Sequence, residues 1–207
     1  LGGNATVALS MAVLRAAAAA EGLPLWRFLA AGRPVRLPLP EVQIFGGGAH
    51  AGRRVDIQDF LVMPVGAQSF SEALEMVWNV YAAAGALMAA KGPLTGVADE
   101  GGYWPNFETN EDALETLTRA IERAGYTRGE VMISLDIAAS EFHSDGQYRL
   151  ALEERSFDTE AWLEVLDGWI ARYPILSIED PVSQHDRAGM AEFTRRHGDR
   201  LQIIGDD

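Results

Sequence analysis

Three short apolar segments that end in acidic residues decide the fold: VMISLD at residues 131–136, ILSIED at residues 175–180 and LQIIGD at residues 201–206. The residues between them, 159–173 and 186–197, are predicted helices, so this part of the chain has the order βαβαβ. Short, nearly continuous apolar strands are typical of a parallel sheet covered on both faces. A (β/α) barrel and a doubly wound sheet both fit this pattern.

The preceding residues predict two strands followed by two helices. The strands are expected at residues 42–45 and 56–65, on either side of a glycine-rich loop. The helices are expected at residues 69–90 and 111–124, and the second has Asn110 as its predicted N-cap and Gly125 as its stop.

The first forty residues predict a separate region. The alanine-rich run at residues 5–20 predicts a buried helix with Asn4 as N-cap, because it is short for a membrane span and contains Arg15. A second short helix and a proline-rich linker follow. We expect residues 1–34 to end one domain and residues 35–207 to begin another. The chain starts without methionine and stops after a predicted strand, so a fragment is expected.

Composition excludes several kinds of site. The chain has no cysteine, which rules out disulfides, thiolate zinc sites and cysteine nucleophiles within it. Its net charge of −13 argues against nucleic acid or an anionic membrane as a partner. An acidic protein that binds an anionic substrate needs a local cation, and a bound metal would supply one.

The acids at the strand ends predict a metal site. The carboxyl ends of parallel strands meet at one edge of a sheet, so Asp136, Glu179 and Asp206 are expected to converge. Each pair of like charges about 4 Å apart costs roughly 4 kcal/mol at an effective dielectric of about 20. A divalent cation removes that cost, and an all-oxygen ligand set favours Mg²⁺ over zinc. The alternative is that these acids cap the following helices.

Two loops carry further candidates. Glu100 lies in the segment Asp99-Glu100-Gly101-Gly102, where a carboxylate beside two glycines is suited to general acid or base work, although turns often have this composition. His50 lies in the glycine-rich loop, which indicates a close approach, although loop histidines are more often surface residues. The remaining histidines are expected to be exposed.

Together these segments resemble the enolase family over essentially the whole chain. In chain order they are LGGNA at 1–5, GGAHAG at 47–52, QDF at 58–60, PVG at 64–66, DEGG at 99–102, PN at 105–106, LDIAASEF at 135–142, SIEDP at 177–181 and GDD at 205–207. The resemblance implies an α/β fold: an enolase-type barrel of ββαα(βα)n order, incomplete here, preceded by the tail of an α+β N-terminal domain.

The resemblance also implies a reaction, the reversible dehydration of 2-phosphoglycerate to phosphoenolpyruvate in glycolysis. It implies that Mg²⁺ is held by three carboxylates (Asp136, Glu179 and Asp206), that Glu100 is the proton donor, and that three residues line the substrate (His50, Gln58 and Asp59). A cytoplasmic homo-oligomer, either a dimer or an octamer, is expected.

The chain departs from the family pattern at several positions. The family's base is a lysine on a later strand, whereas the only lysine here is Lys91, so this chain alone is expected to be inactive. Asp59 stands where the family has glutamate, and Gly46 and Ala49 replace its asparagine and serine. Two alternatives therefore stay open: a related lyase acting on another 2-hydroxy acid, and a non-catalytic paralogue that serves as a binding or scaffold protein.

Overall fold

The computed structural model describes residues 2–206, apart from the side chain of His50. The chain divides into two compact units, Leu1–Pro38 and Leu39–Asp207.

The first unit contains two helices, α1 (Gly3–Ala20) and α2 (Leu25–Ala30). The predicted N-cap of α1 is wrong. The cap is Gly2, and Asn4 lies inside the first turn, where its Oδ1 accepts the Ala5 N–H at 2.8 Å. The helix starts earlier than predicted because the backbone at Gly2 is already extended and Gly3 is helical.

The prediction that α1 is buried is also wrong. Ala18 is its one buried residue among those described, because α2 is the only other helix of the unit. Its exposed side chains include Leu9 and Val13. Its 18 residues and mean hydropathy of 1.2 meet the length and composition of a membrane span. Alanine-rich helices outside membranes can have the same length and mean hydropathy. The prediction that the chain has no membrane partner therefore stays a prediction.

The second unit is built on a five-stranded sheet beside a small three-stranded one. The strands in chain order are β1 (Val42–Gly46), β2 (Asp59–Met63), β3 (Met132–Asp136), β4 (His143–Ser144), β5 (Gln147–Leu150), β6 (Arg155–Phe157), β7 (Ile175–Glu179) and β8 (Gln202–Ile204). The larger sheet has the order β1-β2-β3-β7-β8. The pairs β1–β2 and β2–β3 are antiparallel, and the later pairs are parallel.

Four helices accompany this sheet: α3 (Phe70–Ala89), α4 (Asn110–Arg123), α5 (Thr159–Arg172) and α6 (Arg187–His197). The order ββαα followed by βα units is confirmed. Among the described residues, β1 and β8 are the two edges of the sheet, so the barrel is incomplete and not closed.

The N-terminus of α4 corrects another prediction. Its cap is Thr109, which forms a capping box with Asp112, and Asn110 is the first helical residue. Asn110 is fully buried, and its Oδ1 accepts the N–H groups of Asp56 and Ile57 at 2.8 and 3.3 Å. The asparagine therefore joins α4 to the segment before β2 instead of capping its own helix.

The hydrophobic core lies between the helices and the face of the sheet that carries Ile133 and Leu135. Ile133 and Leu135 of β3 are fully buried, and so are Leu117 of α4 and Trp162 of α5. On the other face of the sheet, Ser134 is also buried. This packing fixes the register of the strands whose ends carry the acids.

The small sheet β4–β6 was not predicted from the sequence. Its Tyr148 stacks on Trp162 with ring centroids 5.7 Å apart. The expectation of an exposed His197 is wrong as well. That side chain is 3% exposed, and its Nε2 lies 2.5 Å from Asp167 Oδ1. It is buried because the last turn of α6 packs against α5, which carries Asp167.

Candidate metal centre

A single row of paired residues crosses all five strands of the larger sheet. Gly46 pairs with Asp59, Asp59 with Asp136, Asp136 with Glu179, and Glu179 with Ile204. Four of these residues end their strands and Asp59 begins β2, so the row marks one edge of the sheet. Its three acids, Asp59, Asp136 and Glu179, are called the acidic row below. Strand pairing alone therefore brings three carboxylates side by side.

A fourth acid joins two members of the acidic row. Asp136, Glu179 and Asp180 each offer a carboxylate oxygen, and these oxygens lie within 4.8 Å of one another. Asp180 is 6% exposed and has a φ of 42°, in the left-handed region that non-glycine residues seldom adopt. Strained backbone of this kind often occurs at functional sites. The group has the spacing and the donor chemistry of a site for a hard cation.

Asp136 is held by hydrogen bonds to both of its oxygens. Gln58 donates its Nε2 hydrogen to Oδ2 at 2.8 Å, and the backbone N–H of Ala138 donates to Oδ1 at 3.0 Å. These contacts fix the orientation of the carboxylate while leaving lone pairs on both oxygens. Gln58 was predicted to line the substrate, and the structure places its amide against the acidic row.

The acids strongly perturb one another. Burial, together with the negative charges of Glu179, Asp59 and Asp180, raises the pKa of Asp136 from 3.8 to about 7. Burial and the charges of Asp180 and Asp206 also raise the pKa of Glu179. Like charges in a partly dry site disfavour ionisation, and a divalent cation would reverse that preference.

The predicted third ligand, Asp206, lies beside this group and not among its three carboxylates. Its side chain is exposed, and its backbone N–H donates to Asp180 Oδ1 at 3.1 Å. Its charge is close enough to raise the pKa of Glu179. The prediction that Asp206 binds the metal stays a prediction, and the following Asp207 lies outside the described residues.

Glu100 occupies the tip of a tight turn. Its side chain is exposed, and Gly101 has a φ of 94°. The turn is closed by hydrogen bonds from Gly101 N to Ala98 O at 2.9 Å and from Ala98 N to Gly102 O at 2.8 Å. A side chain on such a turn is accessible to a ligand, although its predicted role is untested.

The glycine-rich loop before β2 folds back on its own chain. A Cβ on Gly47 would lie 2.3 Å from the backbone oxygen of Ile57, so the close approach predicted for this loop is to residues 55–57. His50 belongs to a short 3-10 helix, Gly48–Ala51, and its side chain lies outside the described residues. Its predicted contact with substrate stays a prediction.

Asp59 is 2% exposed and sits deeper than the other candidates. Its Oδ1 accepts a hydrogen bond from Nε2 of Gln43 on β1. The Gln43 amide therefore gives this buried carboxyl group a hydrogen-bond partner. The sequence singled out Asp59 but not Gln43.

One comparison with known proteins identifies the family. The family model described as the enolase C-terminal TIM barrel domain matches residues 34–207. The chain belongs to the enolase family. Membership in this family indicates a lyase, and it agrees with the ββαα order and with acids at the ends of successive strands. The sheet edge that carries the acidic row is the edge where (β/α) barrels build their active sites.

Two residues at this candidate site were not predicted as site residues from the sequence. Asp180 belongs to the SIEDP motif at residues 177–181, but no feature of the sequence indicates its left-handed backbone. Gln43 lies in an apolar strand, where a single polar residue is a weak indication of a buried contact. Each was visible only as a polar residue at or near a strand end.

Proposed function

We propose that this protein is a Mg²⁺-dependent lyase that interconverts 2-phosphoglycerate and phosphoenolpyruvate. The observation that carries the proposal is the clustering of the Asp136, Glu179 and Asp180 carboxylates at the carboxyl edge of an enolase-family sheet. The motif around Glu100 and the loop of His50 support the phosphorylated substrate, because by resemblance both serve that chemistry.

The residues present fit a magnesium ion. The donors are all carboxylates. Burial and their mutual repulsion raise the pKa of Asp136 to about 7, and a bound divalent cation would relieve that repulsion. Asp136, Glu179 and Asp206 would hold the ion, with Asp180 supporting them. When bound, Mg²⁺ neutralises negative charge that develops on the substrate carboxylate.

The remaining residues would act on the substrate directly. Glu100, exposed on its turn, would give a proton to the departing C3 hydroxyl. Gln58 would hold Asp136 in place through its 2.8 Å hydrogen bond and present its amide to the substrate. His50 and Asp59 would complete the pocket wall.

Removal of the C2 proton needs a base that this sequence does not supply. By resemblance the base is a lysine on a later strand. Lys91 follows α3, and its Nζ lies 5.6 Å from the centre of the Phe107 ring. The proposal therefore requires a lysine from outside these 207 residues.

One observation favours a second candidate, a family lyase that acts on another 2-hydroxy acid. Asp59, which replaces glutamate, is buried and shorter, so the pocket wall differs from the family pattern. A substrate panel separates the two with the protein expressed from its whole gene. We expect 2-phosphoglycerate to be dehydrated far faster than glycerate or malate. Faster dehydration of an unphosphorylated acid would favour the second candidate.

A further inference from the structure

Gln43 links the acidic row to the turn that carries Glu100. It is 3% exposed. Its Nε2 donates to Asp59 Oδ1, and its Oε1 accepts the backbone N–H of Gly102 at 2.7 Å. An amide has one donor end and one acceptor end, and the carboxylate can only accept while the N–H can only donate. The two contacts therefore define the orientation of the Gln43 side chain.

The space around Gln43 is formed by two glycines. A Cβ on Gly102 would lie 2.6 Å from Gln43 Oε1, and a Cβ on Gly46 would lie 2.8 Å from its Nε2 and 2.2 Å from Ala98 Cβ. Any side chain at either position would displace the glutamine. Gly46 is also one of the positions where this chain departs from the family, and its bare backbone leaves room for the long amide.

The long side chain of Gln43 compensates for the short side chain of Asp59. Aspartate has one methylene fewer than glutamate, which is about 1.5 Å of reach. Gln43 donates a hydrogen bond to the Asp59 carboxylate and also accepts one from the Gly102 N–H. One buried side chain therefore connects β2 to the turn. An asparagine at position 43 would be too short to make both contacts.

We propose that Gln43 is a positioning residue that fixes the Glu100 turn to Asp59, and that Asp59, Gln43 and Gly46 work as one unit in place of a longer carboxylate. The catalytic part of this inference rests on the proposed function. The structural part does not, because the Gly102 hydrogen bond exists whatever the substrate is.

The turn has a second support, which makes a local effect measurable. Tyr81 of α3 donates its hydroxyl hydrogen to Gly101 O at 3.0 Å, and its ring stacks on Tyr103 with centroids 4.2 Å apart. Loss of the Gln43 contact should therefore loosen the turn at Gly102 without detaching it from α3.

The test is a double-mutant cycle with Gln43→Asn, Asp59→Glu and the pair together, in the protein expressed from its whole gene. The first readout is hydrogen exchange at the Gly102 amide, which needs no substrate. Gln43→Asn should speed exchange by about tenfold or more, and Asp59→Glu should do the same by crowding the amide. The double variant removes a methylene at position 43 and adds one at position 59. Its exchange rate at Gly102 should therefore lie within about threefold of the original rate.

The second readout is turnover. If the proposed function holds, each single variant should lower kcat by about tenfold with the Mg²⁺ dissociation constant unchanged, and the double variant should recover it. Gln202→Asn is the matched control, because Gln202 makes a 3.0 Å hydrogen bond to Ser177 on the same sheet but does not contact the turn.

The inference is wrong if Gln43→Asn leaves hydrogen exchange at the Gly102 amide unchanged. It is also wrong if the effects of the two single variants simply multiply in the double variant. A protein that shows the exchange cycle but no turnover of 2-phosphoglycerate would support the Gln43 unit and count against the proposed function instead.

Discussion

Asp136 and Glu179 are register partners on adjacent parallel strands, and both are the last residues of those strands. Parallel pairing therefore places two carboxylates side by side at the edge of the sheet. Asp59 extends the row on the other side of Asp136, through antiparallel pairing. The carboxylates of this row repel one another when all of them are ionised, and that repulsion can be measured.

The pH dependence of stability should report the burial of Asp136 together with this repulsion. The pKa of Asp136 is raised from 3.8 to about 7, so the folded protein holds this proton more tightly than the unfolded chain does. The stabilising effect of that proton is full below pH 4 and is lost as pH rises towards 7. In metal-free protein, Asp136→Asn should raise the melting temperature at pH 8 and have little effect at pH 4.

Addition of Mg²⁺ supplies the control for that experiment. The original protein should gain melting temperature with Mg²⁺ at pH 8, because a ligand that binds only the folded state stabilises it. The Asp136→Asn variant should gain little. An Asp136→Asn variant that is less stable than the original at pH 8 without metal would show that the carboxylates do not repel as described.

Magnesium affinity should depend on the carboxylates at the strand ends. Glu179→Gln and Asp206→Asn should each weaken Mg²⁺ binding by about tenfold or more, because each removes a unit charge close to the ion. Asp145→Asn is a suitable control, since the Asp145 side chain is 88% exposed on a hairpin. Titration calorimetry measures the affinities. Unchanged affinity in Asp206→Asn would leave Asp180 as the third ligand.

Glu100→Gln should separate the two halves of the reaction. The amide cannot donate a proton to the C3 hydroxyl as an acid does, so dehydration should fall by about 100-fold or more. Exchange of the C2 hydrogen with solvent should continue, because in the proposed function a different residue removes that proton. Isotope exchange followed by NMR measures the second step, and the exposed Glu108→Gln is the control. Equal loss of both steps would contradict the assignment.

The buried Asn110 should matter more to stability than the cap beside it. Thr109→Ala removes one capping hydrogen bond and should cost about 1 kcal/mol in the free energy of unfolding. Asn110→Ala leaves the half-buried N–H of Asp56 and the buried N–H of Ile57 without this acceptor and should cost about 3 kcal/mol. Urea denaturation measures both. A larger loss in Thr109→Ala would show that the asparagine contacts contribute little.

The strands that form the acidic row were predictable because their apolar runs are short and end in acids. The strand predicted at residues 131–135 is observed as Met132–Asp136, and the one at residues 175–178 as Ile175–Glu179. Parallel pairing then requires their ends to meet. The convergence of Asp136 with Glu179 follows from periodicity and topology alone.

The details that tune the site were not predictable. Asp180 joins the cluster because its backbone takes a left-handed turn, and aspartate gives no reliable sign of that conformation. Gln43 contacts residues 16 and 59 positions away, and no local pattern encodes such contacts. Asn110 looked like a helix cap because asparagine favours caps, yet tertiary contacts with Asp56 determined its place.

The most direct test of the central claim is formation of phosphoenolpyruvate from 2-phosphoglycerate, followed by ultraviolet absorbance with the protein expressed from its whole gene. Turnover should require Mg²⁺, stop when excess chelator is added, and return when Mg²⁺ is restored. A folded protein that binds Mg²⁺ but forms no phosphoenolpyruvate under these conditions would contradict the account.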